Sequence, residues 1–170
     1  LNEDNLVIFI SQSGETLDTL MALKLARSKG AKTLAITNVV GSTISREADV
    51  VLYTVAGPEI SVASTKAYTT QVVTFYLLAL YVAFKCKRVT LEEYDSYLDK
   101  IYSLSEKIGK MFFNKEKIEK IAQEIKDKKN GFYIGRGIDE KITREGSLKM
   151  KEITYIHTEA FPAGELKHGP

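Results

Sequence analysis

The chain has 170 residues, 24 basic and 22 acidic, with a formal net charge of +2; 44% are hydrophobic and 27% charged. That balance is too apolar for a disordered chain and too nearly neutral to mark a binder of nucleic acid or anionic membranes. The single Cys86 excludes an intramolecular disulfide, a zinc ribbon and a cysteine-ligated cluster, and points to a reducing, cytoplasmic compartment.

The chain opens on Leu1-Asn2-Glu3-Asp4-Asn5, with no basic segment or cleavage site of a secretory signal. Both ends read as cuts through a longer protein. Leu6–Ile10 is a continuous apolar run, as expected of a strand covered on both faces. The polar turn Ser11-Gln12-Ser13-Gly14 follows. Glu15–Lys29 then reads as a helix with Leu17, Met21 and Leu25 four apart and Leu20 beside them, ended by Gly30. Thr33–Thr37 is a second strand, making a βαβ unit with a parallel pair. A short helical segment around Ser42–Glu47 leads to a third strand, Val50–Thr54. After the loop Ala56–Glu59 a long helix runs from about Ser64 to Phe84. Its greasiest part, Val72–Phe84, is shorter than the roughly 20 residues a bilayer needs and reads as a buried core helix.

Lys85–Lys129 is helical and holds 12 basic and 9 acidic residues in close alternation, which describes a solvated face better than a nucleic-acid patch. Thr90-Leu91-Glu92-Glu93 marks a helix start, and Lys128-Lys129-Asn130-Gly131 a stop. A second α/β pattern follows: a strand at Phe132–Ile134, the turn Gly135-Arg136-Gly137, a helix over about Asp139–Tyr155, a strand at Ile156–Phe161 and a loop from Pro162 to Pro170. The fold class is α/β with a parallel sheet.

The turn Ser11–Thr16 lies at the carboxyl end of a strand and the amino end of a helix, the edge where open α/β sheets bind ligands. Free N–H groups and the helix dipole favour an anion there, Gly14 allows close approach, and Ser11, Ser13 and Thr16 add hydroxyls. No lysine completes a P-loop. The competing reading makes Ser13 or Thr16 a simple helix cap, and the spacing alone does not separate the two. Ser64 likewise caps the long helix by default, though it too sits on the ligand edge. Gly135-Arg136-Gly137 fits a tight turn as well as a nucleotide. Glu145, Lys149 and Glu152 share one helix face. They read either as an ion-pair row or as a carboxylate base beside a cation, and the spacing favours the ion pairs. His157 and His168 have no metal-ligand spacing. His168, in a Gly-rich loop, is placed to reach a ligand, whereas His157 reads as structural.

Three segments together resemble a known family. Ser11-Gln12-Ser13-Gly14-Glu15-Thr16 is similar to the sugar-phosphate loop of SIS (sugar isomerase) domains. Gly57–Lys66, and still more Glu145–Ala160 continuing through Gly164–Pro170, resemble the isomerase part of the glutamine–fructose-6-phosphate aminotransferase family. The resemblance covers essentially the whole chain. It implies a three-layer αβα fold, with residues 1–88 the later half of a first SIS subdomain and 89–170 the opening half of a second. It further implies that Ser11, Gln12, Ser13 and Thr16 hold a sugar phosphate and that Val62 and Ser64 contact the sugar. Glu152 would carry a proton between the first two sugar carbons with Lys149 beside it, and His168, from a neighbouring subunit, would open the ring. No cofactor or metal is implied, and no nucleic-acid or membrane partner. A homodimer or a swapped oligomer is expected, because half-subdomains leave sheet edges and helix faces open. The family's glutaminase domain and its Schiff-base lysine match nothing in this chain, so the fragment alone is expected to be inactive.

Two other classes stand beside this one. A non-catalytic SIS module that senses a sugar phosphate would need only the Ser/Thr loop, and Glu152 and His168 argue against it. A flavodoxin-like electron carrier would need aromatics in the strand-end loops. After Thr33–Thr37 the chain instead reads Asn38-Val39-Val40-Gly41.

Overall fold

A computed structural model describes residues 1–169; Pro170, the last residue of the tail motif, lies outside the described residues. The chain forms two compact units, one of Leu1–Ile60 with Ser64–Tyr102, the other of Ser61–Ala63 with the chain from Ser103 on.

The first unit is built on three strands, β1 (Leu6–Ser11), β2 (Lys32–Thr37) and β3 (Val50–Tyr53), in the order β1-β2-β3 and all parallel. The register pairs Leu6 with Lys32 and Ser11 with Thr37, so the two polar strand ends lie side by side. Helix α1 (Leu17–Ser28) packs on β1 and β2, and the short α2 (Thr43–Glu47) on β2 and α1. The core is Phe9, Leu23, Ala26, Ala31, Ala35 and Ile44, with Val7, Leu20, Ala48 and Val51 against it. β2 is the central strand: from Thr33 to Thr37 every residue is buried.

Three expectations about apolar faces change. The inward stripe of α1 is Leu20, Leu23 and Ala26, whereas Leu17, Met21 and Leu25 are exposed. This helix is apolar on two sides, and the side carrying small Ala26 is the one that fits closely on the strands. β1 is buried on one face only: Phe9 and Ser11 point inward while Leu6, Ile8 and Ile10 are exposed. The long helix α3 (Thr65–Lys85) is likewise not a core helix, because only Ala67 along it is buried. It packs on α4 (Leu91–Tyr102), with the Phe84 and Tyr94 rings 4.7 Å apart. By length and composition α3 is apolar enough to cross a membrane. α4 starts on a reciprocal capping box in which the Thr90 N–H donates to Glu93 and the Glu93 N–H to the Thr90 hydroxyl.

The opposite edge of the sheet is stapled by Asp49. Its carboxylate accepts the Thr33 N–H and hydroxyl, both at 2.8 Å, and its own N–H donates to the Thr33 hydroxyl at 3.0 Å. Those bonds, with a smaller contribution from the Arg27 charge, hold the Asp49 carboxyl below the usual carboxylate range. A lowered folded-state pKa adds stability above the unfolded value and loses it as pH falls through the folded value. Asp49→Ala is therefore expected to lower the melting temperature near neutrality. The difference from the parent should narrow below about pH 4, the unfolded-state carboxyl value, as pH falls toward the lower folded one. Thermal melts of both proteins across that range check the sign.

In the second unit, α5 (Leu104–Met111), a 3-10 turn at Phe112–Asn114 and α6 (Lys115–Ile125) precede a two-stranded parallel sheet of β4 (Asn130–Gly135) and β5 (His157–Pro162), joined by α7 (Ile138–Thr154). Asn130 and Gly131, expected as a helix stop, open β4 instead, because α6 has already ended at Ile125. α7 is pinned to β5 by buried Ser147, whose hydroxyl donates to the Thr158 carbonyl while the Thr158 hydroxyl donates back to the Ser147 carbonyl, both at 2.8 Å. Tyr155, in the left-handed region at φ 60°, ends the helix. The tail, expected as loop, carries a 3-10 turn at Leu166–His168.

Candidate functional site

The segment Ser11–Thr16 leaves β1 beside the end of β2 and enters α1. Gly14 makes the turn at φ +68° and is buried against Ser42 and Thr37. A hydroxyl ring closes over it: the Ser11 and Thr16 hydroxyls are 2.9 Å apart, the Gly14 N–H donates to the Ser11 hydroxyl at 3.0 Å, and the Glu15 N–H to the Ser13 hydroxyl at 3.2 Å. Neither Ser13 nor Thr16 caps α1. Thr16 stands at the N-cap position in extended conformation, but its hydroxyl is turned to Ser11 and no side chain caps the helix. The leading N–H groups of α1 therefore remain available, with the positive end of its dipole behind them. Ser13 and Thr16 are exposed, Gln12 half-buried and Ser11 buried.

Gln12 reaches the other way. Its Oε1 accepts from Gln71 Nε2 of α3 at 3.1 Å, which leaves Gln12 Nε2 a buried donor without an acceptor. An unmade hydrogen bond of this kind costs about 1–3 kcal/mol, which a ligand oxygen would offset. Gln71 had no local signal in the sequence; it lies 59 residues from its partner. The Gln12 carbonyl is held by the Asn38 N–H at 3.1 Å and the Thr37 hydroxyl at 3.4 Å. Ser64 does cap α3, accepting the Ala67 N–H at 3.3 Å.

In the second unit, Lys149 lies between two carboxylates on α7, 2.9 Å from Glu152 and 3.5 Å from Glu145. Glu145 and Lys149 are half-buried and Glu152 is exposed, and the hydrogen bond to Glu152 is the main cause that raises the Lys149 pKa. The geometry thus contains the ion-pair row, and it also contains a carboxylate fixed on a rigid helix with a cation against it. His168 and Val62 are exposed. His157 is exposed as well, its Nε2 3.0 Å from Glu159. At the turn after β4, Asp139 and Glu140 fill the first turn of α7 and Glu140 is paired with Lys141 and Arg144. That helix start carries two acids in its first turn, against the one, Asp18, in the first turn of α1. Among the described residues no group of three or more His, Cys, Asp or Glu could hold a metal ion.

The sequence pattern of the SIS domain matches residues 1–81 and 124–170. The chain belongs to the SIS-domain family. Across 99% of its length it is 63% identical to a glutamine–fructose-6-phosphate aminotransferase [isomerizing] of Fusobacterium nucleatum, and 56% identical to that of Caldanaerobacter subterraneus. It spans 28% of the length of each of these proteins. Its fold matches the C-terminal domain of glucosamine-fructose-6-phosphate aminotransferase from Francisella tularensis with a TM-score of 0.93 and 40% identity, over 97% of this chain and 47% of that one. The flavodoxin-like reading is set aside by this family membership.

Proposed function

We propose that this SIS chain is part of the isomerase domain of a glutamine–fructose-6-phosphate aminotransferase. The whole protein would make glucosamine 6-phosphate from fructose 6-phosphate and glutamine-derived ammonia by ring opening, imine formation and proton transfer between the first two sugar carbons. The observation that carries the sugar-phosphate reading is the α1 start: three hydroxyls and Gly14 gather at a helix N-terminus that no side chain caps. In the bound state Ser11, Gln12, Ser13 and Thr16 hold the phosphate, with Gln12 Nε2 a donor ready for a ligand oxygen. Val62 and Ser64 contact the sugar, Ser64 while also capping α3. Glu152 carries the proton, Lys149 beside it stabilises developing oxyanion charge, and His168 of a neighbouring subunit opens the ring. The exposed faces of β1 and α3 would be covered in the whole protein, or between copies of the fragment.

The loop's donors come from one contiguous segment, so anion binding should not require the rest of the enzyme. Millimolar phosphate or glucosamine 6-phosphate is expected to shift the Ser13 and Thr16 amide resonances. Ser13→Ala should weaken the apparent affinity about 5- to 10-fold, the loss of one charge-assisted hydrogen bond. Absence of any shift at these amides, in the fragment and the full-length protein alike, would reject the loop as the phosphate site.

A further inference from the structure

We propose that Glu15 is a positioning residue for sugar-phosphate capture, its carboxylate clamped on the Thr43 N–H so that the Ser11–Thr16 loop keeps the α1 N-terminus open. The inference rests on the sugar-phosphate reading of that loop and adds to it a residue that touches no substrate.

A carboxylate inside an anion-binding loop needs a reason. Left loose beside the α1 N-terminus, Glu15 would satisfy the helix N–H groups itself and repel a phosphate. The structure directs it elsewhere. Glu15 Oε1 accepts the Thr43 N–H at 2.8 Å, and hydrogen bonding to Thr43, helped less by the Arg46 charge, holds the carboxyl below its ordinary range. The next N–H of α2, that of Ile44, donates to the Gly14 carbonyl at 2.9 Å. Both leading N–H groups of α2 are thus spent on two consecutive loop residues. With five residues and its donors engaged, α2 serves as a peg for the loop and offers no anion site of its own. From the other side the Asn38 N–H and the Thr37 hydroxyl hold the Gln12 carbonyl. The loop is therefore fixed from Gln12 to Glu15 by one segment, residues 37–44. The Glu15 clamp is the one side-chain contact in that set contributed by the loop itself.

The donor can be removed at Thr43. It is the first residue of α2, where proline is well accommodated, and Ser42 before it is extended at φ −63°, ψ 161°, as a residue preceding proline should be. Thr43→Pro thus deletes the N–H, together with the hydroxyl that accepts from Arg46 at 3.1 Å, while the helix start keeps its backbone. The test measures KM for fructose 6-phosphate, kcat, inhibition by inorganic phosphate and melting temperature in the full-length aminotransferase. The proteins are Glu15→Ala, Glu15→Gln, Thr43→Pro, the Glu15→Ala/Thr43→Pro double variant and Ser13→Ala.

Glu15→Ala and Thr43→Pro are each expected to raise KM and the phosphate inhibition constant about 5- to 20-fold with kcat within about threefold, the signature of lost binding common to ground and transition states. Glu15→Gln keeps an acceptor oxygen and should recover most of the loss. The double variant should be no worse than either single one, because both remove the same bond. An unchanged KM in Glu15→Ala and Thr43→Pro, with Ser13→Ala raising it, overturns the clamp and leaves the loop reading intact. A Ser13→Ala protein with unchanged KM removes the loop reading and the clamp with it. A fall in kcat and melting temperature that Gln does not rescue overturns the positioning role in favour of a purely structural one.

Discussion

Glu152→Gln in the full-length aminotransferase is expected to cut isomerisation by about 10²- to 10⁴-fold while leaving sugar-phosphate affinity within about threefold. Aldose–ketose interconversion needs one base that takes a proton from one carbon of an open-chain sugar and returns it to the next. In the proposed reading Glu152 is that base, carried on α7 and paired with Lys149 at 2.9 Å. α7 is itself held to β5 through Ser147 and Thr158, which fixes the helix that carries it. Glutamine keeps the shape and can still accept a hydrogen bond from Lys149, but it cannot take a proton. Binding should survive because the proposed phosphate site, Ser11–Thr16, lies on another element of the fold. The competing account treats Glu145, Lys149 and Glu152 as a structural row. Under it the same substitution would cost a few tenths of a kcal/mol in stability and leave turnover nearly untouched. Measuring turnover and melting temperature on one preparation separates the two: near-normal isomerisation with a slightly lowered melting temperature would return Glu152 to the ion-pair row.

How much of this was legible in the sequence depends on the distance over which each signal acts. The strands and their parallel pairing were, because apolar runs separated by a helix-length segment admit few other arrangements. The position of the turn Ser11–Thr16 between β1 and α1 was legible for the same reason. The face of α1 was not. Leu17, Met21 and Leu25 make a regular stripe, yet Leu20, Leu23 and Ala26 are the ones inside. Periodicity marks a helix, but a helix apolar on two sides does not announce which one meets the sheet. Whether Thr16 caps α1 was equally open. Its hydroxyl had two partners within reach, and the position of Ser11 at the end of β1 decides for the ring. The contacts that shape the loop lie further out still. Glu15 meets Thr43 across 28 residues and Gln12 meets Gln71 across 59, and no local pattern encodes either.

Gly14→Ala tests whether the shape of the loop, apart from its hydroxyls, makes the site. A methyl group on Gly14 would stand 2.0 Å from the Ser42 hydroxyl oxygen, 2.5 Å from the Ser42 Cβ and 2.9 Å from the Thr37 hydroxyl oxygen, all far inside contact distance. Ser42 is 3% exposed and its backbone is engaged by α2, its carbonyl accepting the Arg46 N–H and the Ser45 hydroxyl. It has nowhere to swing, so the loop must lift instead. The φ of +68° adds its own penalty for any residue with a Cβ. Backbone strain of about 1–3 kcal/mol and overpacking of similar size together predict a loss of roughly 2–6 kcal/mol of stability. Phosphate affinity should fall at least about 100-fold, because lifting Gly14 separates the Ser11 and Ser13 hydroxyls from the α1 N-terminus. The cause can be isolated with Ser42→Gly. The Ser42 hydroxyl has no hydrogen-bond partner, so its removal breaks no bond, and glycine is tolerated at the N-cap of α2. In the Gly14→Ala/Ser42→Gly protein the two nearest clashes are gone, leaving the strain of φ and the contact with Thr37. Melting temperature and phosphate binding should recover together, by about half of what Gly14→Ala lost. A Gly14→Ala protein with parental phosphate affinity would show that the hydroxyls alone make the site and that the turn is only a connection.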